Sequence, residues 1–377
     1  MSYFSASNRG TSSSSGVHRW ACGDRTHRRQ QAVKRITRTD GPFDLLRRLD
    51  ARARATKATL RDEVSHEAVL ADLAKQLEGI RTNETLAHGL RVEAMFGHVA
   101  ASLGQCRLIK QEDAGEIYTL ESRLRAPDYR LVLIDGSEFF VEVKNHRPKD
   151  GFGEYSLTPE YLASVQAYAK AFSKELYFAI YWSQTKLWAL VPDSAFILTG
   201  DRFVLSLPEA MKRNQMVRLG DVMIATLPSL TLKFYSDPAK PRRVGAEGET
   251  PFTIARAEFL CGDKVLEAGK ETEIAWFLLN YGRWPAEQLP AEIESGELIS
   301  FGFHAAPEER TPGNDPFEII GFLSQMISIQ YNVATAADGK VDLLAPNYGP
   351  DELGIVIPKD FRSERLPLWM FQINPAK

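Results

Sequence analysis

The chain has 377 residues, of which 44% are hydrophobic, 25% charged and 10% aromatic. That is globular composition with apolar mass for one large domain or two ordinary ones, and it excludes collagen-like, disulfide-scaffold and wholly disordered chains. The net charge of −3 conceals an asymmetry: residues 1–60 carry 13 Lys and Arg against 4 Asp and Glu, whereas 201–377 carry 18 against 25.

Residues 1–41 form a basic arm with a serine run (Ser12–Ser15) and few apolar residues. Such a segment cannot offset its ordering entropy by burial, so a flexible, solvated arm is expected, with nucleic acid or an acidic partner as its natural ligand. The opening MSYFSASNRG lacks the apolar core of a secretory signal, and no apolar run approaches the ~18 residues of a membrane helix. Cys22, Cys106 and Cys261 lie far apart and form no CxxC pair, which suits reduced thiols and a cytoplasmic location.

A first domain is expected over 42–198. FDLLRRLDARARATKATL (43–60) is expected to be helical. The next helix, VSHEAVLADLAKQLEGI, spaces Val64, Ala68, Val69, Leu73 and Leu77 along one face. A third helix begins after Asn83 as N-cap and stops at Gly104, with Leu86, Leu90, Ala94 and Val99 inward and Glu93 and Gly97 on one edge. The period then changes to two. Strands are expected at 116–122, 129–134 and 138–144, the last two joined through Asp135-Gly136. After a polar loop containing His146, Pro159 opens a helix with Tyr161, Val165, Tyr168 and Phe172 on one face, and apolar strands follow at 175–182 and 186–191.

An α+β accessory domain is expected over 199–377. Its strands fall near 202–206, 222–226, 230–235, 253–259, 297–303, 341–344, 354–357 and 368–373, and its helices at 271–281 and 316–329. The stretch 273–303 carries a faint helix-helix-strand pattern of the winged-helix kind.

Chemistry concentrates at Pro127-Asp128 and Glu142-Val143-Lys144. Glu142 and Lys144 are two apart in a strand and share a face, while Val141 and Val143 point to the other. Asp128 precedes the partner strand, and register decides whether it joins them. A two-residue loop at Asp135-Gly136 turns Asp128 away. A three-residue loop, Asp135-Gly136-Ser137, sets it opposite Lys144 and diagonal to Glu142. Only an odd loop or a bulge brings both acids to one face. Two carboxylates there suit Mg2+, which takes few protein oxygens and keeps several waters, and an adjacent lysine can orient a water and balance charge on a phosphate.

These residues resemble the PD-(D/E)xK nuclease superfamily of restriction enzymes and Holliday-junction resolvases, whose αβββαβ core matches the element order over about 85–183. The resemblance implies an α/β, restriction-endonuclease-like core. It implies Asp128 and Glu142 as metal ligands, Lys144 as the catalytic lysine and the Val143 carbonyl as a further ligand. Glu93 matches the family's frequent extra acid, and Gln166 falls on the helix that carries an accessory glutamine. The implied activity is a Mg2+-dependent endonuclease, with Mn2+ as substitute, cutting DNA in a microbial restriction or phage-defence setting. Alternatives are a catalytically silent nuclease-fold binding module and an RNase on the same scaffold. Arg123, Arg125, Arg130, Lys149 and Lys186 are the expected nucleic-acid contacts near the core. The acidic 199–377 region suits a protein partner or homodimer better than a phosphate surface. No membrane partner is expected. The sequence contains no HExxH, GxxxxGK[ST] or GxSxG motif.

Overall fold

The structure is a computed structural model and describes residues 50, 53–54, 63–112, 117–120, 123–148, 153–310, 316–358 and 360–375. The basic arm, Lys149 and most of the helix expected over 43–60 lie outside the described residues.

Two helices come first, α1 (Glu63–Thr82) and α2 (Glu84–Ser102). Asn83 caps α2 by accepting the Leu86 N–H at 3.1 Å, and Gly104 takes the left-handed conformation beyond its end (φ +82°). Strands β1 (Cys106–Gln111), β2 (Tyr129–Leu133) and β3 (Glu138–His146) follow, then the short β4 (Tyr155–Leu157) and helix α3 (Pro159–Ala171). Strands β5 (Glu175–Trp182) and β6 (Leu187–Pro192) complete a five-stranded sheet in the order β1-β2-β3-β5-β6. β3 and β5 run parallel, as a connection through a helix allows, and the other pairs are antiparallel.

The central strand β3 explains the layering. Phe139, Val141 and Val143 pack with Met95, Phe96 and Val99 of α2 on one face. Phe140 packs with Leu162, Val165 and Tyr168 of α3 on the other. Period-two alternation therefore sends Glu142 and Lys144 to the α3 face.

The chain continues through β7 (Ile197–Thr199), β8 (Arg202–Leu205), α4 (Leu207–Lys212), β9 (Met223–Thr226), β10 (Leu230–Ser236), β11 (Ile254–Cys261) and β12 (Lys264–Val265). Then come α5 (Lys270–Tyr281), β13 (Ala286–Glu294), β14 (Glu297–Ala305), β15 (Glu318–Phe322), α6 (Leu323–Thr335), β16 (Ala336–Ala337), β17 (Lys340–Val341) and β18 (Trp369–Phe371). A second five-stranded sheet, β12-β11-β10-β14-β13, is joined by a three-stranded sheet β15-β9-β18 and a small sheet β4-β8-β7. One buried cluster runs from α2 and the first sheet into residues 216–366, and the Trp188 indole N–H donates to Ser328 Oγ at 2.8 Å. Packing thus crosses residue 198, and β8 pairs back onto β4.

Several expectations change. The first strand is β1, not 116–122; Tyr118 and Leu120 lie outside regular structure and are almost fully exposed. The core face of α2 is Val92, Met95, Phe96 and Val99, while Leu86 and Leu90 are exposed. Leu77 of α1, expected inward, is 65% exposed. The stretch 316–329 divides into β15 and the start of α6, and 354–357 is irregular. No second helix follows α5: the hairpin β13-β14 occupies that stretch, so there is no winged helix there.

Candidate active site

The β2-β3 hairpin sets the phase. Tyr129 pairs with Val141 and Leu131 with Phe139, and the Leu133 N–H donates to the Ser137 carbonyl at 2.9 Å. The connection is therefore Ile134-Asp135-Gly136, with Gly136 at φ +85°. The loop is odd but starts one residue earlier than Asp135-Gly136-Ser137. Asp128, one step beyond the Tyr129–Val141 pair, consequently lies opposite Glu142 rather than Lys144. Its Oδ2 accepts the backbone N–H of Val143 at 2.6 Å.

Glu142 is 1% exposed. Its Oε1 accepts from Lys144 Nζ at 2.6 Å and from the Tyr161 hydroxyl. Lys144 also donates to that hydroxyl at 2.7 Å. The other oxygen, Oε2, is buried with no hydrogen-bond partner. A buried acceptor left unpaired costs about 1–3 kcal/mol, so such an atom in a folded protein calls for a missing ligand or a functional reason. Burial, and next the negative charge of Glu142, push the Asp128 carboxyl up to about 8; the Val143 N–H and Lys144 act against this, and Glu93 adds to it. Two acids this close resist ionising together, and a bound divalent cation would relieve that repulsion. Burial and Glu142 likewise raise the Tyr161 phenol.

Glu93 stands at the edge of this cluster. Gln111 Nε2 donates to its Oε1 at 3.1 Å, and the Tyr129 hydroxyl donates to its carbonyl at 3.1 Å. Gly97, one turn on, leaves room for that phenol: a Cβ there would lie 3.0 Å from the hydroxyl. Gln166 is not brought to the cluster; its amide donates to Asp193 Oδ2 at 2.8 Å. His146 is the last residue of β3 rather than a loop residue, with Nε2 donating to the Gly153 carbonyl and its ring edge-on to Trp182.

Sequence reasoning placed Tyr161 only on the apolar face of its helix. Its position at the third residue of α3, in the first turn of the helix that packs on the Glu142 and Lys144 face of β3, was the available signal.

The donor set of Asp128 and Glu142 suits a hard divalent cation such as Mg2+. Among the described residues no three His, Cys, Asp or Glu side chains gather to enclose an ion. An ion here would rely on these two acids, the Val143 carbonyl and water, which matches the way Mg2+ is held.

No family model and no curated protein matches this chain. Among solved structures it is similar to a Holliday junction resolvase from the archaeal hyperthermophile Archaeoglobus fulgidus, with 18% identity over 27% of this chain and 76% of that one, at a TM-score of 0.21.

Proposed function

We propose that Asp128, Glu142 and Lys144 form the active site of a divalent-metal-dependent nuclease that hydrolyses phosphodiester bonds in DNA. The observation that carries this reading is the buried, unpartnered Oε2 of Glu142, one strand away from a second, half-buried acid and beside a lysine. Asp128, Glu142 and the Val143 carbonyl would hold Mg2+, with Mn2+ as a substitute. The bound ion supplies Lewis acidity toward the phosphate and a more acidic water. Lys144, gripped by Glu142 and Tyr161, keeps its ammonium at a fixed point. From there it orients the attacking water and offsets the negative charge that builds on the phosphate. Glu142 so serves twice, holding Lys144 through Oε1 and leaving Oε2 for the ion. Glu93, linked to Gln111, adds negative charge at the rim.

Exposed Arg123 and Arg125 flank the entry to β2 and a basic arm precedes the domain, which suits the phosphate backbone of a nucleic acid. Arg130 is committed to Glu138. The acidic 199–377 region suits a protein partner or a second copy, and such an appendage on a nuclease core fits a restriction or phage-defence effector by analogy. The test is incubation of purified protein with plasmid, single-stranded DNA and RNA in Mg2+, Mn2+ or EDTA. Cleavage of DNA only with metal supports the proposal. Cleavage of RNA alone makes it an RNase, and no cleavage of any substrate reduces the fold to a binding module.

A further inference from the structure

Arg125 stands three residues before Asp128, and its surroundings fix its backbone. Its N–H donates to the Ser164 carbonyl in α3 at 3.0 Å. Its neighbours Leu124 and Ala126 pack into the α3-side core. The side chain is exposed, and its guanidinium carbon lies 4.9 Å from the centroid of the Tyr161 ring. It makes no ion pair with any carboxylate among the described residues. Lys144 Nζ lies 4.8 Å from the centroid of the same ring. One tyrosine therefore joins two cations: Lys144 inside the site through the hydroxyl, and Arg125 at its rim through the ring face.

A guanidinium held over a ring by cation–π attraction keeps N–H donors for an anion. Two non-bridging phosphate oxygens match that fork, and the pairing is charge-assisted. A cation anchored by backbone and ring but left without an anion is built to receive one. We propose that Arg125 contacts a backbone phosphate of the bound strand, and that Tyr161 is the positioning residue that fixes Arg125 relative to Lys144. This rests on the phosphodiesterase reading of the site and names how that site holds its substrate.

The test separates binding from cleavage. Binding of fluorescein-labelled duplex and single-stranded DNA is measured by anisotropy against salt, in Mg2+ and in a Lys144→Ala background that leaves the DNA uncut. Arg125→Ala should weaken binding about tenfold and lower the slope of log affinity against log salt by about one, the share of a single phosphate contact. Arg125→Lys should restore the slope but only part of the affinity, because an ammonium lacks the planar fork. In the otherwise wild-type protein, Tyr161→Phe keeps the ring and should lower kcat with KM unchanged, whereas Tyr161→Ala should raise KM as well. Unchanged affinity and slope in Arg125→Ala, with a wild-type protein that cleaves, overturns the contact and leaves the active site standing. Binding that depends on Arg125, with a wild-type protein that cuts nothing, overturns the active site and leaves the contact standing. A protein that neither binds nor cuts overturns both.

Discussion

Two acids facing each other across β2 and β3 should burden the metal-free protein, and Asp128→Asn measures the burden. The Asp128 carboxyl rises from the usual 3.8 to about 8 on folding, chiefly through burial and next through Glu142. With the folded value raised, the stability this group contributes is fully present below pH 3.8 and is lost as pH climbs toward 8. At pH 7 the unfolded chain is ionised at this residue while the folded one holds a proton. That difference spans roughly three pH units at ~1.4 kcal/mol each, about 4 kcal/mol as an upper bound, and about 2 kcal/mol once side chains relax. Asparagine keeps the shape and can still accept the Val143 N–H, but it has nothing to ionise. The variant should therefore be more stable than the wild type in EDTA, with a gap that widens from pH 5 to pH 8. Urea unfolding followed by circular dichroism at both pH values reads it. Adding Mg2+ should raise the wild type toward the variant and leave the variant unmoved. An asparagine variant less stable than wild type at pH 8, or a gap that ignores pH, would refute the reasoning.

Three further substitutions test the frame around the site. Asp221 is buried, and its two oxygens accept the Ser324 N–H and hydroxyl at the start of α6; Asp221→Ala should cost about 1–3 kcal/mol in chemical denaturation. Burial raises its carboxyl to about 6, so the wild-type contribution of Asp221 should decline from about pH 4 to pH 6, and the alanine variant should lack that slope. Gly302→Ala would set a Cβ 2.3 Å from the Leu232 carbonyl and force β10 and β14 apart, with an expected loss of about 1–3 kcal/mol. Trp188→Phe removes the indole bond to Ser328 in the cluster that spans residue 198; thermal unfolding should shift down as one transition rather than split in two.

The sequence disclosed the hairpin because Asp-Gly and strict alternation are local signals, and they also fixed that Glu142 and Lys144 share a face. Neither the length nor the phase of the turn was legible, since an odd loop followed only from asking both acids to share a site; the turn starts at Ile134 instead of Asp135 and sets Asp128 opposite Glu142 rather than Lys144. β1 escaped notice because an edge strand exposed on both faces shows no alternation, whereas 117–120 alternates but lies outside any strand. α6 was misplaced because its N-cap residue, Phe322, offers no side-chain cap, and the capping acid, Asp221, comes from a hundred residues away. Gln166 sits five positions from Tyr161, about 140° around the helix, which turns it toward Asp193 rather than the acids.

Nicking of supercoiled plasmid in Mg2+, wild type beside Lys144→Ala and Asp128→Asn, decides whether these residues cut DNA. Wild type should yield open-circular and linear product, with each substitution lowering the rate by about a hundredfold or more. Equal cleavage by all three proteins would contradict it.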